Sequence, residues 1–353
     1  MKPDLRGMTT AELEKYMAAL GEAPFRGRQI AAWLHGRGVS HTADMSNLPL
    51  KLRERLAMET RITNLDLASE KKTAPGDARK YLFRLDDGET IETVFLTLDT
   101  SRSVCLSSQV GCPVGCDFCA TGAIGFKRNL SPGEIVDQFV KVRTGLKQEE
   151  RITNVVFMGM GEPLLNVDNV VRAISIFSSK EGPAFSPRRI TISTCGIVPG
   201  IQALISSGLK PELAVSIISA DEKKRSDLFP MADVYPLRDV VEAARSYSHY
   251  IKRPVTFEYV MLDDVNDSAG DARLLGGLVK SMRCKINLIR YNPAHNPRFA
   301  PSSDARMEEF GRRLKPFCAA VTIRKSKGGE IDAACGQLRA GYTQGEIQMT
   351  NHK

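Results

Sequence analysis

Cysteines are concentrated in one short stretch of the chain, VCLSSQVGCPVGCDFCATG, which begins at Val104. Three of them, Cys112, Cys116 and Cys119, have the spacing C-x3-C-x2-C, and Cys105 precedes the first by seven residues. Thiolates this close together in one segment are typical of a metal site. Zinc fingers and ribbons usually pair one C-x2-C with a second, and the rest of the chain has no second pair, so zinc is the weaker interpretation.

Three thiolates can instead hold three irons of a [4Fe-4S] cluster and leave the fourth iron open for chemistry. S-adenosylmethionine can chelate that iron through its amino and carboxylate groups, and an electron from the cluster then breaks a carbon–sulfur bond to give an adenosyl radical. The spacing therefore favours a radical S-adenosylmethionine (radical SAM) enzyme over plain electron transfer. A non-catalytic RNA-binding protein with structural zinc is the alternative, which metal analysis would distinguish from an iron–sulfur protein.

The composition limits the class of protein. The chain has 353 residues, 42% hydrophobic and 25% charged, which is ordinary for a globular protein with a large core. Its N-terminus lacks the apolar segment of a secretory signal, and no run of about 18 apolar residues occurs, so we expect a cytoplasmic protein without membrane spans. In a reducing compartment, clustered cysteines serve metals or catalysis. The net charge of +8 suits an anionic partner, most simply nucleic acid.

Two patterns precede residue 98. Thr9 and Glu12 form a capping box ahead of apolar residues at helical spacing, so residues from 9 to about 60 are predicted to form short helices. Residues 78–96 alternate apolar and polar types around Asp87-Gly88, which predicts a β-hairpin.

The rest of the chain alternates short apolar runs with helical stretches, one of which begins with a capping box at Ser131 and Glu134. This alternation predicts parallel strands joined by helices, in an open sheet or a full or partial barrel, with catalytic groups at the C-terminal strand ends. The predicted strands are SVCLS, NVVFMG, RITIST, LAVSII, VTFEYVML, INLIRYN and AVTIRK. The glycine-rich end, KSKGGEIDAACGQLRAGYTQ, is typical of a mobile tail but carries a cysteine.

Five segments taken in order resemble one known family. CLSSQVGCPVGCDFCATGAIGFKRNL, FMGMGEPLLN, SPRRITISTCGIVPG, NLIRYNP and IDAACGQL look like the RlmN/Cfr family of radical SAM RNA (adenine) methyltransferases, and the likeness spans nearly the whole chain. The resemblance implies an α/β fold: a partial (βα)6 radical-SAM barrel with a small N-terminal helical domain and a β-hairpin extension. We expect a helical accessory domain in residues 1–65, a hairpin linker in 66–97, the barrel in 98–325 and a C-terminal tail in 326–353.

The resemblance also implies a reaction. The family methylates an adenosine of large-subunit ribosomal RNA at C2 or C8, and transfer RNA is a further candidate substrate of the RlmN branch. Both carbons are too electron-poor to attack a methyl sulfonium, so a radical route is required. In that route Cys335 takes a methyl group from one S-adenosylmethionine, and the radical from a second removes hydrogen from it. The resulting carbon radical adds to the adenine. We favour C2 as the commoner activity.

By the same match, Cys105 is the resolving thiol that forms a transient disulfide with Cys335, and Glu92 is the proton acceptor. Without the resemblance, a carboxylate at a hairpin end is usually a solvated surface group. A thiol with an unperturbed pKa of about 8.5 is mostly protonated at neutral pH, so Cys335 requires activation. Arg339 or the start of a short C-terminal helix is a candidate for that role.

Cofactor contacts are implied at strand ends. GMGEP has glycines at 159 and 161, where a missing side chain would let S-adenosylmethionine approach the backbone, and it lacks the third glycine of a dinucleotide site. The chain departs from the family at Ile218, which replaces the usual histidine and removes a side-chain hydrogen bond; His295 is a candidate substitute. The family match implies that the cofactor contacts Gly161, Glu162, Ser193, Ser216 and Asn292, and that the cluster is held by Cys112, Cys116 and Cys119.

The implied partners are RNA, an electron donor such as a flavodoxin or ferredoxin, and no second copy of the chain. Basic pairs at 127–128, 188–189, 223–225 and 324–325 would form a phosphate-contacting rim if they converge at the barrel mouth. A radical SAM enzyme of the same architecture acting on a different RNA or a non-RNA substrate is the alternative. An enzyme acting on a protein or small molecule would not need both Cys105 and Cys335. The remaining thiols are predicted to be small core residues: Cys195, Cys284 and Cys318.

Overall fold

The structure, a computed structural model, describes residues 2–147, 149–294, 296–324 and 326–341. Its α-helices are α1 (Thr10–Ala19), α2 (Phe25–Ala31), α3 (Leu50–Glu59), α4 (Ala120–Ile124), α5 (Pro132–Gly145), α6 (Val167–Ser178), α7 (Val198–Ser206), α8 (Glu222–Leu228), α9 (Leu237–Ile251), α10 (Ala269–Val279) and α11 (Asp304–Leu314). Its strands are β1 (Asp66–Lys72), β2 (Ala78–Arg84), β3 (Thr90–Thr97), β4 (Arg102–Cys105), β5 (Gln109–Gly111), β6 (Phe126–Asn129), β7 (Asn154–Phe157), β8 (Ile190–Thr194), β9 (Glu212–Ser216), β10 (Val255–Met261), β11 (Cys284–Arg290) and β12 (Ala320–Arg324). None of the described helices is both long and apolar enough to cross a bilayer.

Ten strands form one sheet in the order β1-β2-β3-β4-β7-β8-β9-β10-β11-β12. The neighbours from β1 to β4 pair antiparallel, and those from β4 to β12 pair parallel. Helices connect the parallel strands, so six strand–helix units run from β4 to α11 and β12 follows them. This is the predicted α/β partial barrel, with β1 and β12 as the two ends of the sheet.

The antiparallel section differs from the prediction by one strand. The predicted hairpin is present as β2 and β3, whose last pair before the turn is Arg84 with Thr90. Beyond it, β1 adds a third antiparallel strand, and all seven of its residues are exposed. A strand without a buried face carries no alternation of apolar and polar residues, so its sequence, DLASEKK, gave no strand signal.

Apolar side chains form two cores, one in the barrel and one among the N-terminal helices. The N-terminal core includes Leu13, Ile30 and Leu52, which come from α1, α2 and α3. Capping boxes begin α1 and α5 as predicted. In each, the hydroxyl of the capping residue accepts from the amide three residues later, and the carboxylate at that later position accepts from the amide of the capping residue. The N-terminal segment is therefore a small helical unit with its own apolar centre.

A buried ion pair joins this unit to the barrel. Arg6 Nε lies 3.0 Å from Asp137 Oδ1 on α5, and both side chains are fully buried. Arg6 Nη1 also donates to the carbonyl of Leu34 at 2.6 Å, while Asp137 Oδ2 accepts from the Leu65 amide at 2.7 Å. Both charges therefore have partners, as buried charges require.

Candidate active site

A cavity of about 180 Å³ lies at the C-terminal ends of the parallel strands, where the pattern of the sequence predicts catalytic groups. It is lined by all eight residues that the family match implied for cluster and cofactor: Cys112, Cys116, Cys119, Gly161, Glu162, Ser193, Ser216 and Asn292. Cys335 lines it as well. A larger cavity, of about 680 Å³, is lined by Thr153 just before β7 and by Gly36 of the helical unit, but by no cysteine.

The three-cysteine segment folds compactly between β5 and α4. The Cys112 amide donates to the carbonyl of Gly125 at 2.8 Å, and the Cys119 amide donates to the carbonyl of Cys116 at 3.1 Å. Gly122 lies so close that a Cβ at this position would be 2.9 Å from the Cys116 amide nitrogen. Backbone contacts therefore fix the course of the segment that carries the three thiols.

The donor set fits an iron–sulfur cluster better than a single zinc ion. A zinc ion bonded to sulfur at about 2.3 Å in a tetrahedron would hold its sulfurs about 3.8 Å apart. Among the described residues, the groups of three or more ligand atoms within 4.8 Å of one another include no cysteine. A cluster of four irons holds its thiolates farther apart than one ion does.

Burial raises the pKa of the Cys112 and Cys116 thiols, and the nearby charges of Cys119 and Glu162 raise it further. A bound cationic group would supply the positive charge that these thiolates need. The site thus has the chemistry of a metal-cluster site, with three soft ligands in an enclosed and acidic setting.

Glu162 joins the ends of two strands. Its Oε1 accepts from the Leu164 amide at 2.9 Å, and its Oε2 accepts from the Cys195 amide at 2.8 Å. Burial raises the pKa of this carboxyl, whereas the hydrogen bonds from the backbone lower it. Cys195, predicted as a small core residue, is buried but also lines the cavity. Glu162 therefore links the segment after β7 to the segment after β8 in the wall of the cavity.

The two glycines before Glu162 make room for the protein itself, which corrects the expected reason for them. A Cβ on Gly161, whose φ is +97°, would lie 2.5 Å from Cβ of Gln109. A Cβ on Gly159 would lie 2.7 Å from the carbonyl carbon of Leu106. Their backbones line the cavity, but the space next to each Cα on the Cβ side is filled by the segment after β4.

Ile218, which stands where the family has histidine, occupies a strained turn after β9. Its φ is +66°, a conformation that β-branched residues rarely adopt and that costs on the order of 1–3 kcal/mol. The Ser219 amide donates to the carbonyl of Ile217 at 2.7 Å, and Asn266 Nδ2 donates to the carbonyl of Ile218 at 2.7 Å. Ile218 lines the cavity with an apolar side chain. The proposed substitute, His295, lies outside the described residues.

Cys105 and Cys335 meet at a second, smaller cavity of about 50 Å³. Cys105 ends β4 and is buried, whereas Cys335 in the tail is exposed and lines both cavities. Burial raises the pKa of Cys105 to about 12, and the nearby Cys335 thiol acts in the same direction. The tail thus brings the Cys335 thiol to the boundary between the cavity of the three cysteines and the smaller cavity of Cys105. All eight cysteines are free.

Two charged residues of this region were not predicted to act at the site: Glu258 was not singled out, and Arg324 was assigned to a basic rim. Arg324 at the end of β12 places Nη1 3.7 Å from Glu258 Oε1 on β10. Glu258 lines the cavity of the three cysteines, and Arg324 lines the smaller cavity of Cys105. The Cys335 residue has exposed surface, yet desolvation of its thiol by the surrounding protein raises the pKa of Cys335; the Arg324 guanidinium opposes that rise and Glu258 adds to it. Arg339, the candidate activator, instead pairs with Asp332. A buried glutamate in VTFEYVML interrupts an apolar run, which is the one signal that could have identified Glu258.

The proposed basic rim is wrong in two places. Arg324 faces the cavity with Cys105, and Arg225 is fully buried, donating to the carbonyl of Tyr235 at 2.9 Å. Arg128 is held by Asp87 and Glu134. Lys325 lies outside the described residues.

Glu92 is buried, not solvated as a hairpin-end carboxylate would be without the family match. Its Oε1 lies 3.0 Å from Lys80 Nζ, and its Oε2 accepts from the amides of Arg339 at 2.7 Å and Ala340 at 3.2 Å. Glu92 is not among the residues that line the two cavities. Its carboxylate therefore holds the tail beyond Cys335.

Comparison with known proteins agrees with this geometry. Residues 106–274 match the sequence model of the radical SAM superfamily, and residues 3–62 match that of the ribosomal RNA large subunit methyltransferase N-terminal domain. The chain is 43% identical to the probable dual-specificity RNA methyltransferase RlmN of Symbiobacterium thermophilum, over 95% of this chain and 91% of that protein.

It is 41% identical to the dual-specificity RNA methyltransferase RlmN of Syntrophobacter fumaroxidans, over 96% of this chain and 98% of that protein. The crystal structure of a radical SAM methyltransferase from Sphaerobacter thermophilus superimposes with a TM-score of 0.91 at 41% identity, covering 96% of this chain and 99% of that one. Radical SAM proteins use a [4Fe-4S] cluster and S-adenosylmethionine, for which the three-cysteine cavity is suited. The chain therefore belongs to the RlmN family within the radical SAM superfamily.

Proposed function

We propose that this protein is a radical SAM RNA methyltransferase that methylates a ring carbon of adenosine in large-subunit ribosomal RNA. We favour C2 over C8 and include transfer RNA as a second substrate, in line with the dual-specificity names of its relatives. The observation that carries the proposal is the position of Cys335, which lines both the cavity of the three cysteines and the smaller cavity of Cys105. A radical SAM enzyme without a cysteine-bound intermediate would have no use for that pair of thiols.

In this proposal, Cys112, Cys116 and Cys119 hold the [4Fe-4S] cluster. Gly161, Glu162, Ser193, Ser216 and Asn292 contact S-adenosylmethionine, of which two are used per turnover. The cluster and cofactor, when bound, supply a methyl group and the means to remove hydrogen from a methyl carbon.

The chain's own residues do the rest. Cys335, as a thiolate favoured by Arg324, accepts the methyl group and becomes S-methylcysteine. After the methyl carbon has joined the base, a carboxylate, assigned to Glu92, takes the ring proton. The Cys105 thiolate then attacks the Cys335 sulfur. The carbon–sulfur bond breaks with its electron pair left on the carbon, which takes up a proton to become the methyl group of the product. The one electron that the radical adduct leaves over would return to the bound cluster, and the disulfide is reduced by a cellular thiol. Asn292 Nδ2, which donates to the Cys335 carbonyl at 3.1 Å, supports the position of the acceptor.

Further assignments belong to the same proposal. Residues 1–65 form an RNA-contacting accessory domain, residues 66–97 a hairpin linker, residues 98–325 the barrel and residues 326–353 the tail. The enzyme acts as a cytoplasmic monomer, with a flavodoxin or ferredoxin as electron donor. The target base leaves its stack to reach the cavity, because the sulfur of Cys335 cannot enter a helix.

Mass spectrometry of adenosines from a bacterial host without its own enzyme tests the proposal. The intact chain should produce 2-methyladenosine in large-subunit ribosomal RNA, and Cys335→Ala should produce none. Cys318→Ala is the matched control, since that half-buried thiol lines neither cavity and should leave the product unchanged. The product 8-methyladenosine would select the other branch. No methyladenosine from cluster-loaded protein would favour a different RNA or a non-RNA substrate, with Ile218 as the first position to examine.

A further inference from the structure

The hairpin of β2 and β3 forms hydrogen bonds with the C-terminal tail on both sides of Cys335. Before the cysteine, Lys80 Nζ donates to the carbonyl of Asp332 at 3.0 Å. After it, Glu92 Oε2 accepts from the amides of Arg339 and Ala340. Two side chains from neighbouring strands therefore fix the tail three residues before and four residues after the proposed methyl acceptor.

Lys80 and Glu92 also pair with each other. Lys80 Nζ lies 3.0 Å from Glu92 Oε1, and the two side chains are only 7% and 4% exposed. In the register of β2 and β3, Lys80 faces Val94 and Leu82 faces Glu92, so the pair lies on a diagonal of the hairpin. Their sequence spacing does not reveal the contact, which depends on the strand register.

A buried pair of this kind is stable only while its remaining hydrogen-bonding atoms are satisfied. Here the tail satisfies both partners: a carbonyl accepts from Lys80, and two amides donate to Glu92. If the tail lifts, a buried ammonium and a buried carboxylate lose these three bonds. The closed position of the tail is therefore favoured because it keeps two buried charges hydrogen-bonded.

We propose that Lys80 and Glu92 form a clamp that positions the tail so that Cys335 faces the cluster cavity. Lys80 is a positioning residue: it acts through the tail and does not line either cavity. Glu92 has two uses in sequence, because its carboxylate is occupied while the tail is closed and becomes free to accept a proton only when the tail opens. The function of the clamp rests on the proposed role of Cys335 as methyl acceptor.

Other contacts between the hairpin and the tail also hold the tail closed. The part of the tail that these contacts span, residues 327–340, is called the strap. Lys327 Nζ donates to the carbonyl of Thr97 at 3.0 Å, and Thr90 Oγ1 donates to the carbonyl of Ala340 at 2.8 Å. These contacts lie at the two outer ends of the strap, farther from Cys335 than the contact of Lys80 with Asp332 or of Glu92 with Arg339. They should hold the strap near the hairpin when the clamp is broken, so the effect of the clamp is local.

Hydrogen–deuterium exchange of the full chain, loaded with its cluster, tests the clamp. In Lys80→Met the amides of Arg339 and Ala340 should exchange about tenfold faster or more, because Glu92 loses its cation and its hold on the tail weakens. Lys71→Met is the matched control: Lys71 pairs with Lys80 in the sheet register but is exposed, so the tail should exchange as in the intact chain. Lys80→Arg should restore slow exchange, because it returns the charge.

A second readout follows the methyl acceptor. The fraction of Cys335 that carries a methyl group after incubation with S-adenosylmethionine, read by peptide mass spectrometry, should fall several-fold in Lys80→Met and recover in Lys80→Arg. Lys80→Met leaves the buried Glu92 carboxylate without its cation and for that reason could fail to fold. In that case the double variant Lys80→Met, Glu92→Gln, which removes both charges, is measured in place of the single variant.

The outcomes separate the two proposals. Unchanged exchange at Arg339 and Ala340 in a folded Lys80 variant would overturn the clamp. Equal acceleration in the β2–β3 amides would also overturn it, since Lys80 would then be stabilising the hairpin alone. No methyl group on Cys335 of the intact, loaded chain would defeat the proposed function, while the exchange data would still decide whether the clamp exists.

Discussion

Arg324 and Glu258 form an ion pair inside the barrel, with Nη1 3.7 Å from Oε1, beside the two thiols that the proposed reaction needs. The guanidinium and the carboxylate shift the pKa of Cys335 in opposite directions. The arginine favours the thiolate, and the glutamate favours the thiol. Desolvation raises the pKa of Cys335, the proposed methyl acceptor, and two charges from β12 and β10 then adjust that pKa in opposite directions.

Substitution of these two residues should move the titration of Cys335 in opposite directions. Arg324→Gln removes the cation, so the pKa of Cys335 rises and alkylation requires a higher pH. Glu258→Gln removes the nearby anion, so the pKa of Cys335 falls. The measurement is the pH dependence of iodoacetamide labelling, resolved by peptide mass spectrometry. Arg312→Gln, on the exposed face of α11, should leave the profile unchanged, and shifts of the same sign in both variants would contradict the charge balance.

The three-cysteine site should lose its cluster when one ligand is removed. Cys116→Ser replaces a soft thiolate with a hydroxyl that binds iron weakly, so most of the iron and sulfide per chain should disappear. Cys195→Ser is the control, since this thiol lines the same cavity but is not one of the three proposed ligands, and this variant should keep its iron. Iron and sulfide analysis after anaerobic reconstitution measures both. Equal loss in the two variants would mean that cavity packing, not ligation, was disturbed.

Gly161 should not tolerate a side chain. In Gly161→Ala the new Cβ meets Gln109 at 2.5 Å in a backbone with φ of +97°, which should cost about 1–3 kcal/mol and displace the start of the cofactor wall. Gly277→Ala, on an exposed part of α10 with open space around it, should instead stabilise by about 0.5–1 kcal/mol. Urea unfolding measures both. A neutral Gly161→Ala would show that Gln109 can move aside without cost.

The Arg6–Asp137 pair should be critical for attachment of the helical unit. Arg6→Met leaves a buried carboxylate without its cation, which should cost about 3–5 kcal/mol. Arg55→Met, which breaks an exposed pair with Glu59, should cost less than about 1 kcal/mol. Thermal unfolding of the two variants at one pH is the first comparison.

The same variant should respond to pH with a defined sign. Burial raises the pKa of Asp137 and Arg6 lowers it, so loss of Arg6 raises it further. A carboxyl whose folded pKa exceeds its unfolded value binds more protons when folded, so stability falls as pH rises. The deficit of Arg6→Met should therefore shrink in acid and grow toward neutral pH. A deficit that is independent of pH would show that packing, not charge, is what Arg6 supplies.

Local features were predictable because their signals are local. Capping boxes at Thr9 and Ser131 and the hairpin around Asp87-Gly88 depend on residues a few positions apart, and the structure contains all three. Strand–helix alternation was enough to predict a parallel sheet with its functional edge at the C-terminal strand ends. By contrast, β1 has no buried face, and its exposed residues carried no period to detect.

The sequence by itself determined the chemical parts: a three-thiol motif for a cluster, two further cysteines far apart in the chain, and strands that end at a common edge. Only the tertiary structure decided which parts meet. It brought Cys335 to the cavity of Cys105, set Arg324 against Glu258, and closed the tail with Lys80 and Glu92. The physical reason is that these contacts depend on strand order and register, which place residues distant in the chain a few ångströms apart, and no local pattern encodes such pairs.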